Sequence, residues 1–219
     1  MDKRENKEAA LLPGEIEKRS FEIITKEIGD RTLDPFEEPV IKRVIHTSAD
    51  FDYLENMYFS PGAVEKAMEA VKNGTLIVTD TNMAKAGINK KKLASFGGEA
   101  VCFMADEDVA RRAGKEGTTR AAASMKKAAE LKRPCIFVVG NAPTALFALR
   151  DLMEEGIVKP QLIIGVPVGF VNVVESKEEI IKAAERAGCP CIAARGRKGG
   201  SNVAAAIVNA ILYQIDDRR

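Results

Sequence analysis

The chain carries a single histidine, His46, within Arg43-Val44-Ile45-His46-Thr47-Ser48. Imidazole titrates at roughly 6.5 when unperturbed, so it is the readiest proton donor and acceptor near neutrality. One imidazole can serve a Ser-His-Asp arrangement or a lone acid/base step. It cannot serve a zinc site built on two or three histidines, or a two-histidine relay. A hydrogen-bonded structural histidine is the alternative. Cys189-Pro190-Cys191 has metal-like spacing but lacks the second pair that a zinc site needs, while Cys102 and Cys135 lie in apolar runs. The four thiols read as reduced packing residues, and no metal is expected.

A second chemical signal is Arg195-Gly196-Arg197-Lys198-Gly199-Gly200-Ser201. Three cations and three glycines lead into an alanine-rich helix, so backbone amides, the positive helix end and guanidinium groups can face one anion. Carboxylate and phosphate both suit such donors. Neither G-x-G-x-x-G nor G-x-x-x-x-G-K-[ST] occurs between a strand and a helix, which argues against a nucleotide. A solvated basic turn is the alternative reading. Arg120 follows Thr118-Thr119 and precedes three alanines. Further polar loops are Asp80-Thr81-Asn82-Met83, Gly140-Asn141-Ala142-Pro143-Thr144 and Pro167-Val168-Gly169-Phe170-Val171. Together they offer donors and small residues suited to a bulky anion, with little hydrolytic machinery.

These loops need elements to position them. Apolar, β-branched runs at 75–79, 100–104, 135–139, 162–166 and 191–194 read as strands, and Val40 to Ile45 reads as a sixth strand or extended segment ending at His46. Helices are expected at 9–28, 119–132, 143–155, 176–187 and 201–214. Another opens at Ser60-Pro61 and closes at Asn73-Gly74. Ser176 and Glu179 form a candidate capping box. Unalternating strands separated by helices imply an α/β fold, a three-layer α/β/α arrangement with a mostly parallel sheet. In such folds the loops leaving the strands' carboxyl ends converge on one crevice.

The length of 219 residues suits a single domain, expected over 11–215 after a flexible leader of residues 1–10; Asp216 to Arg219 reads as a disordered tail. Thirty-three basic against thirty-two acidic residues give a formal net charge of +1, so no basic field invites nucleic acid. No stretch approaches the roughly 18 apolar residues of a membrane span, and a soluble cytoplasmic protein is expected.

The strings around His46, Asp80, Gly140, Pro167 and Arg195, in order and at plausible spacing across roughly residues 15 to 214, resemble the signature segments of the precorrin-8X methylmutase family. The resemblance implies a cofactor-free isomerase of cobalamin biosynthesis that moves a methyl group from ring carbon 11 to carbon 12 of a corrin precursor, acting as a homodimer. It implies His46 as the acid/base residue and Arg120 as a carboxylate-holding residue, with Ser20 orienting the arginine or ligand from an N-terminal helix. From chemistry, Arg43, Thr47, Thr81, Asn141, Gly169, Arg195, Arg197, Gly200 and Ser201 join them as candidate contacts for the tetrapyrrole substrate and product. Ala49 departs from the glycine expected in many relatives. A non-catalytic corrinoid carrier and a nucleotide-dependent α/β enzyme are the competing functions.

Overall fold

A computed structural model of the chain describes residues 13–217, with side chains described for 14–216. The expected leader, the start of the first helix at residue 9 and residues 218–219 lie outside the described residues. In chain order the elements are α1 (Pro13–Ile28), α2 (Glu37–Ser48), α3 (Tyr53–Asn56), β1 (Met57–Phe59), α4 (Ala63–Lys72), β2 (Leu76–Thr79), α5 (Asn82–Gly87), α6 (Lys90–Ser95) and β3 (Glu99–Val101). There follow α7 (Glu107–Glu116), α8 (Arg120–Glu130), β4 (Cys135–Val139), α9 (Pro143–Glu154), β5 (Leu162–Gly165), α10 (Val173–Ala187), β6 (Cys191–Ala194) and α11 (Ser201–Asp217).

The six strands form one sheet in the order β1-β6-β5-β4-β2-β3, parallel throughout except for β1, which pairs antiparallel with β6. Strands β2, β4, β5 and β6 are buried along their whole length, because helices cover both faces. One core lies between the sheet and α1, α2, α4, α5 and α11, the other between the sheet and α8, α9 and α10. The chain leaves β2 towards β3 on one side and continues through β4, β5 and β6 on the other. The strand order therefore reverses between β2 and β4, and the crevice belongs at their carboxyl ends.

The segment from Val40 to Ile45 is helical, not extended. Val40, Ile41, Val44 and Ile45 recur at a helical period and bury one face of α2, which packs on α11. Burial at roughly 1.5–3 kcal/mol per large apolar side chain outweighs the modest helix penalty of β-branched residues. His46 nevertheless reaches the carboxyl edge of the sheet. The chain passes from α2 through α3 into β1, whose antiparallel entry sets Met57 opposite Ala194, the last residue of β6.

Three local expectations also change. Gly62, in the left-handed conformation at φ 69°, caps α4, while the Ser60 hydroxyl accepts from the Cys191 amide at 2.9 Å. Asn172, also left-handed, starts α10. The Ser176 hydroxyl donates to Val173 O and Glu179 pairs with Arg150, so no capping box forms. Asp216 and Asp217 continue α11, and Asp216 pairs with Lys92.

Candidate functional site

The crevice is organised by a buried carboxylate. Asp80, fully buried where β2 ends, accepts from the amides of Gly140 (2.9 Å), Asn141 (2.8 Å) and Ala142 (2.7 Å) in the loop after β4. Burial pushes its carboxyl above the usual range, while the three donors pull the other way. Asp80 thus ties together the two strand ends between which the order reverses. Thr81 caps α5 by accepting from Ala84 N at 3.0 Å, and its hydroxyl shares a 2.7 Å bond with that of Ser201 at the start of α11. Gly140 allows that approach, since a Cβ there would stand 2.8 Å from the Ser201 Cα.

The loop from Arg195 to Gly200 is held from beneath. Gly169 N donates to Arg197 O at 3.2 Å and Gly200 N to Val166 O at 2.8 Å. A Cβ on Gly199 would lie 2.1 Å from Val166 O, so only glycine fits. The Gly200 amide is therefore spent inside the protein; Gly200 shapes the loop and does not present its amide to a ligand. Lys198 pairs with Asp50 and Asp52 at 2.6 Å, drawing the segment after α2 against this loop.

His46 occupies the last turn of α2, exposed, with its ring stacked on Phe21 of α1 at 5.1 Å between centroids and 17° between planes. No described residue hydrogen-bonds to either ring nitrogen. Arg43, His46, Thr47, Asn202 and Asn209 line part of a recess of 220 Å³ beside the first turns of α11. Ala49 closes α2 at φ 54°, its amide donating to Ile45 O at 2.7 Å. This left-handed position explains why glycine is expected there; for alanine the conformation costs roughly 1–2 kcal/mol.

The remaining candidates divide by what already holds them. Arg195 donates twice to Glu178, at 2.9 and 2.7 Å, and lies over Tyr58. Arg43 pairs with Glu17 at 2.9 Å and sits 4.9 Å from both the Phe21 and Tyr213 rings. The Ser20 hydroxyl donates to Ile16 O on its own helix, while Glu17 and Phe21 of that helix hold Arg43. Arg120, exposed at the start of α8, and Arg197, 5.6 Å from the Phe170 ring, form no ion pair with described residues. The Thr119 and Thr144 hydroxyls, 2.7 Å apart, tie Arg120's helix start to α9. Asn141 and Thr47 are exposed, and near this edge Met83, Val168, Phe170 and Val171 expose apolar side chains, Phe170 to 82%. A partly apolar, carboxylated ligand matches this mixture of bare apolar surface and unpaired guanidinium.

Residues 15–214 match the family model described as precorrin-8X methylmutase. The chain belongs to the precorrin-8X methylmutase family. It is 48% identical to the cobalt-precorrin-8 methylmutase of Salmonella typhimurium, covering 93% of this chain and 96% of that protein. It is 44% identical to the enzyme of the same name from Priestia megaterium, over 97% and 92% of the two chains. The crystal structure of the precorrin-8X methylmutase from Thermus thermophilus superposes with a TM-score of 0.82 at 40% identity, over 93% of this chain and 98% of that one.

Two groups that shape this site, Asp80 and Lys177, carry no motif in the sequence that marks them as positioning residues. Lys177, on α10, is fully buried and donates to Gly196 O and Lys198 O. A signal was present: Lys177 shares the helical stripe of Val173, Ile180, Ile181 and Ala184, all buried. The cysteines are free; Cys135, Cys189 and Cys191 are buried, and burial pushes the Cys189 thiol up to about 12. No three His, Cys, Asp or Glu side chains among the described residues converge as a metal-holding group.

Proposed function

We propose that this chain is a methylmutase of cobalamin biosynthesis, shifting a methyl group from ring carbon 11 to carbon 12 of precorrin-8X or its cobalt form. The observation that carries the reading is His46. It is the one imidazole, both its nitrogens are unengaged by described residues, and it stands at a recess beside the donor-rich carboxyl edge of the sheet.

Migration of a methyl group between neighbouring carbons of a conjugated ring consumes no water, nucleophile or electron. It is assisted by a proton delivered to the macrocycle as the bond shifts and recovered afterwards. His46 supplies and retrieves that proton, and general acid catalysis of this kind is worth about 100- to 10,000-fold. Arg120 and Arg197 hold peripheral carboxylates, with Thr47, Thr81, Asn141, Gly169 and Ser201 lining the approach. Arg43 and Arg195, already paired, are secondary contacts. Phe170, Val171 and Met83 cover the ring's apolar surface. The reading extends to a single catalytic domain over residues 11–215 after a short leader, a homodimer, and the cytoplasm as its location. No helix of the described residues is long and apolar enough to cross a membrane.

The test is to incubate the purified protein with metal-free and cobalt-containing precorrin-8. Rearrangement changes the absorption spectrum at constant mass. Binding without any spectral conversion would make the protein a corrinoid carrier.

A further inference from the structure

Lys177 is fully buried, and its ammonium has no carboxylate partner among the described residues. Its Nζ donates to Gly196 O at 2.9 Å and to Lys198 O at 2.7 Å, bracketing Arg197. The charged groups around it are turned elsewhere. On its own helix Glu178 holds Arg195, Glu179 holds Arg150, and Glu175 is exposed. On the loop, Lys198 is drawn to Asp50 and Asp52, and Arg197 lies over Phe170. Removing an ammonium from water without a counter-ion is expensive, and two carbonyl dipoles offset only part of the cost. A neutral donor could hold the same carbonyls at lower cost, so the charge itself calls for a use.

We propose that Lys177 is a positioning residue for substrate: it clamps the backbone on both sides of Arg197 and supplies, from beneath the loop, a positive charge whose counter-ion is a carboxylate of the corrin ligand. This rests on the reading above that the loop receives substrate carboxylates. Lys177 does not touch the ligand. It fixes where Arg197 and the first turn of α11 point, and it adds charge to the site without exposing another flexible cation. Burial lowers its pKa to about 8, so the free protein begins to lose this charge within an accessible pH range. An anion in the loop favours the protonated form, and binding above that pH takes up a proton.

The experiment titrates the protein with hydrogenobyrinic acid, and with the same ring fully amidated, from pH 7 to 9.5, following absorbance. Wild-type affinity for the acid should fall by about tenfold in all from pH 7 to 9.5, at no more than about threefold per pH unit, while affinity for the amidated ring stays flat. Lys177→Gln, which keeps a donor but removes the charge, should bind the acid about tenfold more weakly at pH 7, lose the pH dependence, and keep its saturated turnover within about threefold. Unchanged affinity of the Gln variant overturns the proposal. If that variant does not fold, the wild-type comparison of the two rings decides. A preference for the acid that persists undiminished to pH 9.5 removes Lys177 from the site but leaves the loop's role intact. Equal binding of both rings at pH 7 removes the carboxylate role of the loop, and this proposal with it.

Discussion

Asp80 fixes three amides of the loop after β4 from a fully buried position, whereas His46 is held on an exposed helix end by a stacked Phe21 ring. The two regions stand under opposite constraints. On the strand-end side, Asp80, Lys177 and the Thr81–Ser201 bond immobilise the backbone of the loops proposed to receive an anion. On the α1–α2 side the ties are surface contacts such as Arg43–Glu17, whose glutamate is half exposed. The difference matches the work proposed for each side. Donors to carboxylates gain from preorganisation because they are satisfied in substrate and product alike. A proton carrier must instead keep its nitrogens unengaged until the ligand arrives.

The largest expected effect is on the His46 side. His46→Ala should lower turnover by about 100- to 10,000-fold while leaving product affinity within about tenfold, as befits a group acting mainly in the transition state. His46→Asn, which keeps a donor but cannot cycle a proton, should be equally slow. Single-turnover absorbance and product titration measure the two quantities. Near-normal turnover in either variant would remove the distinction between the regions.

The strand-end side should answer in stability. Asp80→Ala leaves three amides without their acceptor and should cost about 3 kcal/mol in urea unfolding, since each orphaned buried group costs about 1–3 kcal/mol and water can reach some of them. Phe21→Ala, removing only a partly buried ring, should cost less stability and chiefly reduce turnover. A larger unfolding penalty for Phe21→Ala than for Asp80→Ala would invert the comparison.

The same division governs what the sequence could tell. Strands β4, β5 and β6 were legible because burial on both faces leaves unbroken apolar runs such as Cys135–Val139. The α2 segment misled because its residues are β-branched, although the Val40-Ile41, Val44-Ile45 period is helical. Strand β1 left no mark: three residues at a sheet edge carry neither a long apolar run nor a turn signal. His46 and Arg197 declared themselves through residue type. Asp80 and Lys177 did not, since their partners lie about 60 and 20 residues away and charged residues in polar strings look solvated. Arg195 shows the converse: its type suggests a ligand contact, and only the fold reveals Glu178 beside it.

That contrast between neighbouring arginines gives a smaller, sharper test. Arg197→Ala should weaken corrinoid binding about tenfold, near 1.4 kcal/mol, because no carboxylate among the described residues competes for its guanidinium. Arg195→Ala should change affinity less than about threefold, because Glu178 already engages it and an exposed pair contributes little. Equal losses in the two variants would mean that ligand binding pulls Arg195 away from Glu178.

The smallest effect concerns whether the strand-end ties depend on charge, and its sign can be worked out. Lys177 titrates at about 8 in the folded protein against an ordinary 10.5, so between those values the unfolded chain binds more protons and stability rises with pH. The buried thiols of Cys135, Cys189 and Cys191 act in the other direction. Their folded pKa values are raised, so above about 8.5 the unfolded thiols ionise first and stability falls as pH rises. Wild-type stability therefore contains opposing slopes, and the difference from Lys177→Met isolates the lysine. From pH 8 to 9 the wild type should gain on the variant by about 1 kcal/mol, since one proton contributes at most about 1.4 kcal/mol per pH unit. Urea unfolding of both proteins at pH 7, 8, 9 and 10 measures the gap. Parallel curves would mean that Lys177 does not change charge in this range. The strand-end region would then be tied by hydrogen bonds from a permanent cation, and the pH dependence of ligand binding would have to arise elsewhere.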